Sequence, residues 1–174
     1  PVKYLLPAIS ADKSTVVAIE VHTSATALVH GVAIVNGVRK PFTLMSPLAA
    51  VWKAVLVNPS KPKSFYAWGP GGTGQGMVIA SSGDGFTWTV LAPILSGYSF
   101  PTMFPIGVAI GNDGSIAVCT LSVSTIGVSV DGGRTFTGKS IGGTGVSACG
   151  AFLNRVIFMS TTSVYIWTDW TTSY

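Results

Sequence analysis

Three segments of the chain align on one pattern: an apolar strand, a turn rich in Ser, Thr, Asp and Gly, then an aromatic residue. They are residues 77–88 (MVIASSGDGFTW), 125–136 (TIGVSVDGGRTF) and 163–174 (SVYIWTDWTTSY). A weaker copy occupies 31–42 (GVAIVNGVRKPF), with Asn36-Gly37 at its turn. The closing aromatics are Phe42, Trp88, Phe136 and Tyr174, spaced 46, 48 and 38 residues apart. Such a repeat constrains the fold more than any single motif. Each copy must form the same supersecondary unit and bury its apolar face on the next copy.

A period of about 40–50 residues suits a four-stranded propeller blade. The apolar runs predict strands at 3–8, 16–21, 27–35 and 42–45 in the first unit. The second unit reads as strands at 52–57, 64–68, 77–82 and 87–91, with a glycine-rich loop at 69–76. The third reads as 106–110, 116–121, 125–129 and 135–139, and the fourth as 146–152, 156–160 and 164–168. No stretch carries sustained helical periodicity, and Gly, Pro and Asn-Gly interrupt the chain at the spacing of all-β proteins. The expected fold is all-β: a small or partial β-propeller of about four antiparallel units, near 1–46, 47–93, 94–141 and 142–174. Tyr174 closes the fourth turn, so that unit lacks its last strand. An open outer edge invites pairing, so a strand from a longer chain, from the N-terminus or from a neighbouring subunit is expected there.

The turn residues have a physical logic. In Ser129-Val130-Asp131-Gly132-Gly133-Arg134-Thr135-Phe136, the Asp131 carboxylate can accept several backbone N–H groups that a hairpin turn leaves unpaired. Gly133 supplies a positive φ at low cost. Ser129 and Thr135 bond across the turn, and Phe136 points into the core, where burial contributes about 2–3 kcal/mol. The second unit keeps the parts as Ser82 (or Ser81), Asp84, Gly85, Thr87 and Trp88, with Asp84 one place late relative to Gly85. The fourth keeps Asp169, Ser173 and Tyr174, with Thr171 in place of the glycine. This Ser-x-Asp-x-Gly-x-Thr-aromatic motif resembles the Asp-box, or BNR-like, repeat of sialidase-type propellers. Residues 55–88 are also similar to the repeat of xyloglucan-degrading glycoside hydrolases, sortilin-type receptors and photosystem assembly factors. In those families the box lies at blade turns, away from the central sites. The resemblance therefore implies a structural role for Asp84 and Asp131.

Composition narrows the function classes. Charged residues are 9% and hydrophobic residues 48%, the opposite of a disordered chain. The net charge of +4 arises from scarce acids, and the bases are scattered, with Arg39-Lys40 and Lys61/Lys63 the local pairs. Nucleic-acid binders show a dense basic stripe with interleaved aromatics, so no nucleic-acid partner is expected. No apolar run reaches the ~18 residues of a membrane span, and Lys53 interrupts the best candidate. Pro1 fits either loss of an initiator Met or a start inside a longer chain, and no signal peptide pattern opens the sequence. Cys119 and Cys149 have no metal spacing; two buried thiols and one disulfide are the two readings.

Catalytic constellations are sparse. A sialidase site needs an arginine triad, an acid/base Asp and a Tyr–Glu pair. The arginines are Arg39, Arg134 and Arg155, of which Arg134 belongs to a turn, and Glu20 is the one glutamate. Ordinary glycoside hydrolysis needs two facing carboxylates, and the acids outside the boxes are Asp12, Glu20 and Asp113. Asp113 lies in an Asn-Asp-Gly turn and reads as a hairpin residue. His22 and His30 lack a third ligand at zinc spacing, and no Lys-Ser/Thr follows the glycine-rich loop as nucleotide binding requires. Neither metal nor cofactor is expected. Among the aromatics, Trp68 beside the glycine-rich loop and Tyr98 are the expected ligand contacts, placed for exposure. The expected function is a non-enzymatic structural or recognition module, a virus or bacteriophage particle component, with other protein subunits or a host glycan as partners. The expected location is a virion or extracellular. An extracellular lectin-like or glycoside-hydrolase fragment and an assembly-factor propeller are the alternatives.

Overall fold

The computed structural model describes residues 4–22, 24, 26–70, 77–91, 94–96, 105–120, 125–140, 146–152, 155–160 and 163–167. The chain divides into two compact units, Pro1–Ala92 and Pro93–Tyr174. In the first, β1 (Tyr4–Ile9), β2 (Thr15–Val21), β3 (Thr26–Val35) and β4 (Val38–Ala50) form sheet 1, an antiparallel meander in chain order. Sheet 2 repeats the meander with β5 (Ala54–Val57), β6 (Phe65–Pro70), β7 (Met77–Ser82) and β8 (Thr89–Leu91). The second unit opens with β9 (Ile94–Ser96). Sheet 3 then runs β10 (Pro105–Ile110), β11 (Ile116–Thr120), β12 (Thr125–Ser129), β13 (Thr135–Ser140), and β9 adds in parallel to the outer edge of β13. Sheet 4 has three strands, β14 (Val146–Phe152), β15 (Arg155–Ser160) and β16 (Val164–Trp167).

The protein is therefore all-β, built of four blade-like antiparallel meanders, none closed on itself, the fourth with three strands among the described residues. Strands β4 and β9 depart furthest from the sequence reading. Strand β4 runs through Pro41 and Pro47, which the sequence suggests as breaks. It is the edge strand of sheet 1, where a missing N–H does not interrupt a ladder. Strand β9 is three residues long, too short for a periodic signal.

In the first unit the core lies between sheets 1 and 2. Val17, Ile19, Val29, Ala33, Phe42 and Leu44 of sheet 1 meet Val55, Phe65, Ala67, Val78 and Ala80 of sheet 2. Strand alternation accounts for this: odd positions on β2 and β3 and even positions on β4 share one face through the register Ile19↔Gly31↔Phe42. Gly31 is required there, because a Cβ would sit 2.2 Å from the Phe42 ring. The closing aromatics of successive repeats touch, Phe42 and Trp88 with ring centroids 5.7 Å apart. Lys40 caps the Phe86 ring at 4.1 Å, a cation–π contact at the same end of the two sheets. In the second unit Ile116, Ala117, Val118, Ile126, Phe136 and Phe158 are fully buried.

Candidate functional site

The third-unit turn, between β12 and β13, is organised by Ser129 and Asp131. The Ser129 hydroxyl donates to Asp131 Oδ1 at 2.8 Å and accepts the Gly133 N–H at 2.8 Å. Asp131 Oδ1 accepts the N–H groups of Arg134 and Thr135 at 3.0 and 2.9 Å, and Oδ2 accepts the Thr135 hydroxyl at 2.7 Å. Gly132 and Gly133 have φ of 74° and 88°, the left-handed region that glycine enters without strain.

The second-unit turn, between β7 and β8, does the same with one residue fewer. Ser82 Oγ donates to Asp84 Oδ1 at 3.1 Å and accepts the Gly85 N–H at 2.8 Å. Asp84 Oδ1 accepts from Phe86 and Thr87 N–H at 2.9 and 2.7 Å. The late placement of Asp84 relative to Gly85 is thus a one-residue deletion between the acid and the glycine. The ring of Trp88 turns back so that Nε1 donates to the Gly85 carbonyl at 3.2 Å. Asp169 and Tyr174 of the fourth copy lie outside the described residues.

A further Ser-x-Asp turn was not among the aligned copies. Between β1 and β2, Ser10 Oγ donates to Asp12 Oδ1 at 2.5 Å and accepts the Thr15 N–H at 3.0 Å, while Asp12 Oδ1 accepts the Ser14 N–H at 3.0 Å. Its signal is the Ser-x-Asp spacing, shared with Ser82/Asp84 and Ser129/Asp131. No aromatic follows it at the aligned distance, so an alignment keyed on aromatics passes over it. Asp113, between β10 and β11, accepts from the N–H and hydroxyl of Ser115 at 2.9 and 2.8 Å. Asn58, between β5 and β6, does so from Ser60.

These bonds set the acidity of the carboxyls. At Asp131, partial desolvation pulls upward, but donors from Thr135, Ser129 and Arg134 outweigh it and hold the carboxyl at about 2. At Asp12 the Ser10 hydroxyl, then the Ser14 N–H and hydroxyl, hold it at about 2. Asp84 is lowered too, its desolvation outweighed by donors from Thr87, Phe86 and Ser82. Each lowered group favours the bonded anion, the form a turn-closing carboxylate needs. Asp131→Ala is therefore expected to cost about 0.5–1.5 kcal/mol in urea unfolding, by removing the acceptor of the exposed Arg134 and Thr135 donors.

Trp68, expected to be exposed, is buried, with 5% of its surface accessible. Strand β6 continues through Gly69 to Pro70, so Trp68 sits within a sheet, opposite Ile79, rather than at a loop mouth. Gly69 continues the strand because its missing side chain admits the Val51 backbone, which a Cβ would approach to 2.3 Å. Trp68 Nε1 has no hydrogen-bond partner among the described residues. Tyr98 lies outside those residues.

Glu20 and His30 come together on the face of sheet 1 turned away from sheet 2. They line a shallow depression of about 470 Å³ with Arg39, Pro41 and Thr43. His22 Nε2 lies 3.5 Å from Glu20 Oε2, without hydrogen-bond alignment. Among the described residues no three His, Cys, Asp or Glu side chains converge as metal ligands. Cys149 is half-buried on β14, and the Cys119 side chain lies outside the described residues.

No protein-family model matches the sequence, and neither does any curated protein. Solved structures do. The β-propeller domain of Cps50 (Swd1) from Myceliophteria thermophila aligns with a TM-score of 0.67 and 9% identity, over 96% of this chain and 54% of that one. An ancestral GH74 enzyme aligns with a TM-score of 0.63 and 12% identity, over 94% and 25%. YCF48 bound to a D1 peptide aligns with a TM-score of 0.52 and 11% identity, over 86% and 47%. The chain spans about half the length of the first and third and a quarter of the second. These proteins differ in role, so the likeness carries no activity. What the chain shares with them is the β-propeller fold.

Proposed function

We propose that the chain is a non-enzymatic structural or recognition module of the Asp-box type. One observation carries this reading: the fate of its carboxylates. The chain has six acids. Asp12, Asp84, Asp113 and Asp131 each accept hydrogen bonds inside their own turns. Among the described residues that leaves Glu20, set beside His22, whereas glycoside hydrolysis needs two facing carboxylates. The low charge and the Ser/Thr/Gly-rich composition further support placing the module in a virus or bacteriophage particle, in contact with other subunits or a host glycan. Two measurements test the reading. The purified chain should leave a panel of oligosaccharides intact; turnover abolished by Glu20→Gln would overturn the non-enzymatic part. The chain should also be found in fixed stoichiometry in purified particles, and its absence there would remove the particle assignment.

A further inference from the structure

Bases that are scattered along the sequence are gathered by the fold. In an antiparallel meander, alternate turns fall at the same end of the sheet. In the first unit the β1–β2 and β3–β4 turns therefore share one end of sheet 1, and the β5–β6 and β7–β8 turns share one end of sheet 2. These two ends adjoin: a Cβ on Gly85, in the β7–β8 turn, would stand 3.0 Å from Thr15 and 2.7 Å from Val17 at the start of β2. The common end carries Lys13, Arg39, Lys40, Lys61 and Lys63 against Asp12 and Asp84, so half of the chain's ten bases stand here with two of its six acids. Lys13, Arg39, Lys61 and Lys63 are exposed.

Within this end a depression of about 630 Å³ is lined by Asp12, Lys61, Pro62, Lys63, Ser64 and Gly83, a volume in the range of small-molecule sites. Its lysine wall is held in shape. Residues 58–64 make two successive tight turns, the Lys61 N–H donating to the Asn58 carbonyl at 3.2 Å and the Ser64 N–H to the Lys61 carbonyl at 3.0 Å. Pro59 and Pro62 take the second position of each turn, which their fixed φ suits. Asn58 is buried, and its Oδ1 accepts the N–H and hydroxyl of Ser60 at 2.9 and 2.6 Å. Lys61 and Lys63, either side of Pro62, are thus presented by backbone that need not be ordered on binding. On the β1–β2 turn, Asp12 accepts its bonds from Ser10 and Ser14 on Oδ1, which leaves Oδ2 as an acceptor for a ligand. Gly83 keeps the mouth open, since a Cβ there would meet nothing within 4 Å.

The donor set selects the ligand. Lysine is a compact point charge with rotatable donors, which suits a tetrahedral oxyanion; the planar fork that matches a carboxylate belongs to arginine, and no arginine is among the described residues of the lining. A bare oxyanion would leave Asp12 Oδ2 and the Ser64 hydroxyl unused and would stand beside a carboxylate. A sugar ester brings hydroxyls to Asp12 and Ser64 and its charged group to the lysines. Nucleic acid fits less well. Single strands are held by stacking bases on bare aromatic faces, and at this end Lys40 covers the Phe86 ring, Trp88 turns back onto the Gly85 carbonyl and Phe42 is buried. We propose that the depression binds a saccharide carrying a sulfate or phosphate ester, with Lys61 and Lys63 on the oxyanion and Asp12 and Ser64 on sugar hydroxyls. This inference rests on the recognition reading and names its ligand class.

Amide NMR of the 174-residue chain, titrated with glucose 6-sulfate and with glucose 6-phosphate, tests the site. At least one ester is expected to bind with a millimolar dissociation constant and to move the amides of Asp12, Lys61, Lys63, Ser64 and Gly83; the tighter of the two identifies the ester. Glucose, inorganic sulfate and inorganic phosphate should each bind at least about tenfold more weakly. Lys61→Ala/Lys63→Ala should weaken the ester by about tenfold or more, with Lys63→Ala alone serving if the amide spectrum shows the double variant unfolded. Lys53→Ala, at an exposed lysine beside the start of β5, should change nothing. Asp12→Asn keeps the turn acceptor, as Asn58 does in its own turn, and should bring the inorganic anion closer to the ester in affinity. The proposal is overturned if neither ester moves these amides, if the inorganic anion binds as tightly as its ester, or if thymidine monophosphate binds more tightly than glucose 6-phosphate. A chain found in purified particles that binds neither ester overturns this inference alone, whereas hydrolysis of either ester would overturn the non-enzymatic reading beneath it.

Discussion

Phe136→Ala is expected to lower the stability of the chain by about 3–5 kcal/mol, the cost of emptying a large aromatic site in a packed core. Phe136 is 1% accessible. It follows directly on the Asp131 turn, and strand alternation puts it on the face of sheet 3 that carries Gly138, Gly127 and Val118. The paired glycines contribute no side chains there that could fill the space the ring would leave. The same relation holds in sheet 1, where the Phe42 ring lies over Gly31. Equilibrium unfolding in urea checks the effect, with an unchanged slope expected if the loss is one of packing alone.

The second large effect is expected at Gly85. Its φ is 87°, and a Cβ there would stand 2.7 Å from Val17 Cγ2 and 3.0 Å from Thr15 Cγ2. Gly85→Ala therefore combines left-handed strain with overpacking against sheet 1, together about 2–4 kcal/mol. Gly83, two residues earlier in the same turn, has open space around it and no positive φ. Gly83→Ala should stay within about 0.5 kcal/mol of the wild type. Equal melting temperatures for the two variants would mean that the turn does not rest on β2. The contrast makes a structural point about the box. Its glycine does more than allow the chain to reverse; it lets the turn of one blade lie flat on the strand of the preceding one.

Much of this was legible in the sequence, for local reasons. Strands 77–82, 125–129 and 146–152 were read with the boundaries they have, because Ser-Gly-Asp, Ser-Val-Asp and Gly-rich turns bracket apolar runs. The Asp84 and Asp131 turns were legible because their chemistry lies within a few residues. What escaped depended on tertiary placement. Pro41 and Pro47 break a central strand but not an edge, and the sequence does not say which strand is the edge. Gly69 reads as the start of a loop, yet the close approach of Val51 makes it strand, and this moves Trp68 from an expected ligand contact into buried surface. Ser10-Ala11-Asp12 carried the right spacing without the closing aromatic, so its turn went unread.

The Ser-x-Asp aspartates close their hairpins as bonded anions. A folded-state pKa lowered below the unfolded value of 3.8 makes a contribution that is present above pH 4 and lost as the pH falls through about 2. Carboxyl carbon NMR of the folded chain, titrated from neutral pH into acid, reads this group by group. Asp131 is expected to titrate near 2, with Asp84 also below the ordinary carboxylate range. An Asp131 midpoint at or above 3.8 would contradict it, because a carboxylate accepting the Arg134 and Thr135 donors cannot take up its proton so readily.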